Sequence, residues 1–135
     1  MKISNRLSRQ TVAFVLGVFS LLITNTALAN VITELGHEQF ESLAEQSLIV
    51  DVRTPEEYAK GHVPGAVNIP LATVSDSLAL FGNDEQQIVV YCRSGYRAGK
   101  ALEKLANAGY TNLYHLEGDI TGWIEADKPL EIPKS

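Results

Sequence analysis

The chain has a single cysteine, Cys92, among its 135 residues. It therefore cannot close an internal disulfide, and no grouping of its histidines with Cys92 has the spacing of a zinc site. Basic residues are also scarce. Eleven Lys plus Arg against 16 Asp plus Glu give a formal charge of −5, a poor balance for nucleic acid or for an anionic membrane surface. Histidine is limited to His37, His62 and His115, and sequence sets none of them beside Cys92. His62 lies in a Gly-His-Val-Pro-Gly turn and His115 in an apolar run, so both read as hydrogen-bonded structural residues, while His37 reads as a solvated helix residue. Repeats and low-complexity segments are absent. With 45% hydrophobic residues the chain has enough for one proper core but no room for a second domain.

Long apolar runs are missing too. The most apolar block, residues 11–23, is about a dozen residues, short of the roughly 20 that span a bilayer. It follows Lys2, Arg6 and Arg9, and it leads into Ala27-Leu28-Ala29 with no charge before Glu34. A basic start, a short apolar centre and an A-x-A site are the layout of a cleaved export signal over residues 1–29. With neither a twin arginine nor a cysteine near the cut, the general secretory route is the expectation, with a periplasmic destination in a Gram-negative source. Cleavage would leave residues 30–135 without stable membrane association. Loss of three basic residues and no acidic ones would take the charge from −5 to −8.

What is present centres on Val89-Val90-Tyr91-Cys92-Arg93-Ser94-Gly95-Tyr96-Arg97. Residues 88–91 read as a buried strand, and Ala98, Ala101, Leu102, Leu105 and Ala108 recur at helical spacing from Arg97 onward, with Gly109 as the stop. Cys92 is thereby set between a strand's carboxyl end and a helix's amino end, where unpaired N–H groups and the helix dipole favour an anion. These donors, with the charges of Arg93 and Arg97, favour the thiolate, which is the nucleophile. Arg93, Arg97 and Lys100 form a cationic patch in an acidic chain, which points to a small anionic substrate. The plain alternative is an inert buried cysteine, but flanking arginines and a glycine are wrong for an apolar core.

Elsewhere, strands are expected at residues 31–33, 48–52, 66–69 and 113–116. Helices are expected at 37–46, from the Thr54-Pro55-Glu56-Glu57 capping box to Gly61, and at 75–81, with one or two turns in 118–125 anchored by Trp123. Pro129 and Pro133 mark an extended tail. Alternation of strands with helices argues for an α/β layer fold with a mostly parallel sheet. Asp51 and Arg53, at the end of a central strand, are expected to hold neighbouring loops together.

Cys92, Gly95 and Arg97 meet the pattern Cys-x-x-Gly-x-Arg, and the chain resembles the single-domain rhodanese family of thiosulfate sulfurtransferases. Flanking matches run in the family's order: Asp51-Val52-Arg53, Glu56-Glu57-Tyr58, Gly61-His62-Val63-Pro64-Gly65-Ala66-Val67-Asn68-Ile69-Pro70, and Leu116-Glu117-Gly118 with Trp123. The resemblance implies a five-stranded sheet flanked by helices and a cysteine persulfide mechanism that needs no metal or cofactor. Cys92 would be the nucleophile, and Arg93, Ser94, Gly95, Tyr96 and Arg97 would bind the donor. Partners would be a donor such as thiosulfate and a thiol, dithiol, cyanide or redox-protein acceptor. Asp119 departs from the Gly-Gly pair frequent at this point in the family, which leaves open how closely its loop approaches the pocket.

Two other readings keep the same loop. Rhodanese-like phosphatases use Cys-x5-Arg, a loop one residue longer, whereas here position 98 is alanine. A non-enzymatic persulfide carrier or sulfur-binding module would need the same cradle and stays open at this level.

Overall fold

The computed structural model describes residues 32–134; the expected export signal lies outside them. In chain order the elements are β1 (Thr33–Leu35), α1 (His37–Leu43), β2 (Leu48–Asp51), α2 (Pro55–Ala59), β3 (Val67–Asn68), β4 (Ile88–Tyr91), α3 (Tyr96–Asn107), β5 (Leu113–Leu116) and α4 (Asp119–Glu125). The strands form one sheet in the order β1-β5-β4-β2-β3, and every pairing in it is parallel. Parallel strands need crossovers that cover both faces, which is why β2 and β4 read as near-continuous apolar runs.

Alternation along β4 divides the core. Ile88 and Val90 pack with Val50, Phe81, Leu102, Leu105 and Leu113 on the α3 side, and Cys92 continues that face. Val89 and Tyr91 point to the opposite side, among Ile49, Phe40, Leu116, Ile120 and Trp123. Trp123 anchors that layer as expected: it meets Phe40 edge-on at 5.2 Å and its indole N–H donates to Pro129 O at 2.7 Å. The proline-marked tail then runs beside His62, with which Glu131 exchanges backbone hydrogen bonds of 2.9 and 2.8 Å.

The strands expected at 48–52 and 66–69 shorten to Leu48–Asp51 and Val67–Asn68, and three other segments change more. The first strand lies at Thr33–Leu35 rather than 31–33, because its register against β5 pairs Leu35 with Leu116 and buries Leu35. The first helix gives way after Leu43 to a 3₁₀ turn, Ala44–Gln46. Instead of one helix over 75–81 there are two 3₁₀ turns, Leu71–Asp76 and Leu78–Phe81, separated at Ser77 and held by the buried Val74 and Phe81. The capping box at α2 forms as read: Thr54 Oγ1 accepts the Glu57 N–H, and Glu57 Oε2 accepts the Thr54 N–H.

Candidate active site

The site is built where β4 ends. Its last residue, Tyr91, is fully buried, and its hydroxyl donates to Asp51 Oδ2 at 2.8 Å while accepting the Val63 N–H at 3.0 Å. Asp51 is also held by Arg53 through Nε and Nη2, and Arg53 Nη2 reaches on to Gly61 O at 2.8 Å. Asn68 donates to the carbonyls of Asp51 and Arg53. Burial works against the Arg53 charge, but the Asp51 carboxylate more than offsets it and keeps the guanidinium above its ordinary pKa. Burial, with Asp51 adding to it, pushes the Tyr91 phenol well up. Asp51 and Arg53 therefore tie the ends of β2, β3 and β4 together, in keeping with the structural role read from sequence.

Cys92 follows directly. It is 2% exposed, more enclosed than its flanks suggested, yet its sulfur is not in a purely apolar setting, because the Gly95 N–H donates to Sγ at 3.1 Å. Gly95 achieves this with φ +110° and stands at the N-cap of α3. Helix starts leave their first N–H groups without intrahelical acceptors, and here the Gly95 N–H is turned toward the sulfur. Arg93, Ser94 and Tyr96 are exposed around it, Tyr96 most of all.

Arg97 has a partner that spacing could not reveal. Glu57, from α2, takes its fork through two contacts, Nη1 to Oε2 at 2.6 Å and Nη2 to Oε1 at 3.0 Å. Hydrogen bonding to Arg97 is the largest influence holding the Glu57 carboxyl down at about 2, and the Arg97 guanidinium rises correspondingly above its ordinary value, with Cys92 also contributing. Arg97 is thus a fixed, oriented charge in the Cys92 loop rather than a free fork. Arg93 lies on the rim of an open groove of about 560 Å³, shared with Arg53, Lys60, Thr121, Ile124 and Leu130.

Sequence reasoning missed the underside of the loop. Asp119 is 2% exposed, and its Oδ1 accepts the Cys92 N–H at 2.9 Å. The next two residues hold the following carbonyls: Ile120 N–H donates to Cys92 O at 3.1 Å, and Thr121 Oγ1 to Arg93 O at 2.8 Å. His115 Nε2 lies 3.0 Å from both Asp119 oxygens, and its Nδ1 lies 2.6 Å from Glu34 Oε1. Asp119 in first place and Glu34 after it raise the His115 pKa to about 9 against the opposing effect of burial. The departure from Gly-Gly was the available signal, and the loop carrying Asp119 does approach Cys92 closely. Among the described residues no group of three or more His, Cys, Asp or Glu could hold a metal ion.

The family model for the rhodanese-like domain matches residues 36–126. The chain belongs to the rhodanese-like family. Among its relatives are a sulfurtransferase of Allochromatium vinosum, 34% identical over 67% of this chain and 83% of that one, and the thiosulfate sulfurtransferase PspE of Escherichia coli, 43% identical over 51% of this chain and 67% of that one. The solved structure of the human single-domain sulfurtransferase TSTD1 superposes with a TM-score of 0.65 at 27% identity, covering 70% of this chain and 97% of that one. The parallel five-stranded sheet flanked by helices is the fold these rhodanese-like neighbours share.

Proposed function

We propose that this protein moves sulfane sulfur from thiosulfate, or a similar small anion, to a thiophilic acceptor through a persulfide on Cys92. The observation that carries the reading is the Gly95 N–H on Cys92 Sγ at 3.1 Å, in a loop bracketed by a strand end and a helix start. The Cys92 thiolate attacks the outer sulfur of thiosulfate. The bond between the two sulfurs of the donor breaks, and its electron pair leaves with sulfite, so the enzyme holds a Cys92 persulfide anion. An acceptor nucleophile, whether cyanide, a thiol, a dithiol or a redox protein, then takes the outer sulfur and returns the thiolate. Loop N–H groups and the charge of Arg97 stabilise the anion in place, Arg93 attracts the donor at the rim, and Ser94 and Tyr96 shape the entrance. Enclosure of Cys92 favours a donor with a small terminal sulfur. Residues 1–29 are read as an export signal, which predicts a secreted product beginning at Asn30.

Mass spectrometry after incubation with thiosulfate tests the chemistry. We expect a gain of about 32 Da, one sulfur atom, on Cys92, stoichiometric sulfite, and neither in Cys92→Ser. Persulfide formation without turnover to any added acceptor would favour the carrier reading. Sulfur transfer that survives Cys92→Ser would overturn the assignment.

A further inference from the structure

Behind the reactive loop a hydrogen-bonded chain runs from the surface to the nucleophile's own backbone: Glu34, His115, Asp119, then the Cys92 N–H. Its central member is unusual in two ways. Asp119 adopts φ +54° without being glycine, a conformation that costs free energy in a non-glycine residue, and it buries a carboxylate next to a thiol that must ionise. Both features oppose function unless something is gained. The gains are visible in the geometry: an acceptor for the Cys92 N–H, and a floor for Gly95, whose added Cβ would sit 3.3 Å from Asp119 Oδ2 and 3.7 Å from His115 Cε1.

We infer that Asp119 and His115 are a positioning pair for Cys92, in which Asp119 fixes the nucleophile's amide and His115 supplies the cation that lets a carboxylate stand behind a thiolate. The assignment rests on Cys92 being the sulfur-accepting nucleophile. A carboxylate alone would oppose formation of a second negative charge nearby, and the imidazolium cancels that opposition. The charged groups facing His115 are Glu34 from β1 and Asp119 from the start of α4. Its register partner in β4 is the apolar Val90, and the catalytic loop contributes Gly95. His115 is held protonated to about pH 9, so the pair is neutral through the physiological range and becomes a bare carboxylate above it.

The test is single-turnover persulfide formation from thiosulfate, with no acceptor present, followed from pH 6 to 10.5 in the wild type, His115→Gln, Asp119→Asn and Asp119→Gly. The wild-type rate should fall as pH rises through about 9. His115→Gln should lack that limb and run about tenfold slower at neutral pH. Asp119→Asn keeps an oxygen for the Cys92 N–H and should stay within about threefold, with the His115 titration, read by NMR, moved below its wild-type midpoint. Asp119→Gly loses the acceptor and should fall about tenfold. A His115→Gln rate and limb equal to wild type would overturn the pair, even with lowered thermal stability. A failure of Asp119→Gly to fold leaves the other two variants to decide. Should the wild type form no persulfide, the sulfur-transfer reading fails, and the pair is then read through iodoacetamide alkylation of Cys92, the chain's single thiol. The same order of variants is expected there, and equal alkylation of wild type and His115→Gln would overturn it.

Discussion

Replacing Gly95 with alanine should disable the site while leaving the fold recognisable. At φ +110° an L-residue sits in strained backbone at about 1–3 kcal/mol. The new methyl would also press to 3.3 Å on a carboxylate oxygen that cannot retreat, because Asp119 is already engaged by the Cys92 N–H and by His115. If the loop keeps its shape, the total is about 2–4 kcal/mol, a drop of roughly 10–20 °C in Tm for a domain of this size. If the loop relaxes instead, the Gly95 N–H leaves Sγ. A hydrogen bond to a charged group contributes about 1.5–3 kcal/mol, so persulfide formation should slow by about 10- to 100-fold. The assay pairs thermal unfolding with single-turnover sulfite release. Gly99→Ala is the matched control, since a Cβ there meets nothing within 4 Å in α3 and should add about 0.5–1 kcal/mol of stability without touching the rate. A Gly95→Ala variant with wild-type rate and a Tm within about 2 °C of wild type would refute the account of this loop.

Tyr91→Phe should lower stability by about 2–4 kcal/mol in urea titration, because it orphans the buried Val63 N–H and removes one donor from Asp51; a loss below about 0.5 kcal/mol would show that the network does not depend on the hydroxyl. Glu57 has its pKa depressed from 4.5 to about 2, so its contribution is present above pH 4.5 and lost as pH falls from there through 2. Discounted for partial exposure, it is about 1–2 kcal/mol. Glu57→Gln should remove that acid-side slope, and an unchanged stability profile between pH 2 and 5 would contradict the ion pair's role. Arg97→Ala should slow persulfide formation by at least about tenfold and Lys100→Ala by less than about twofold; equal losses would contradict the assignment of charge stabilisation to Arg97.

Much of the fold was legible because local signals agreed with tertiary ones. The runs at Leu48–Asp51 and Ile88–Tyr91 are apolar because both sheet faces are covered, and the helical spacing after Arg97 matches the buried stripe of Ala98, Ala101, Leu102 and Leu105. Where signals were weak, tertiary contacts decided. The 71–81 segment leaves helical geometry at Ser77, φ −120° and ψ 22°, and settles into two tight turns with one buried anchor each, Val74 and Phe81. In the site, Cys92, Gly95 and Arg97 stand out because they are close together in one short loop. Glu57 on Arg97, 40 residues away, and Glu34 opposite His115, 81 away, depend on strand order, which local pattern does not encode. Asp119 is an oddity in the sequence, and its place beneath Cys92 depends on where α4 starts.

An all-parallel sheet sends the carboxyl end of every strand to one edge, and the residues after β2, β4 and β5 meet there as Arg53, Cys92 and Asp119. Among the described residues, the opposite edge carries connections such as the 82–87 turn, pinned by Thr111 and Asn112 to Asp84 and Glu85. The molecule is therefore one-sided for any engineer: a tether or fused module spliced into the 82–87 turn would leave the reactive edge open to a partner. An extension from the tail, where Leu130 already borders the groove beside Arg93, would crowd it.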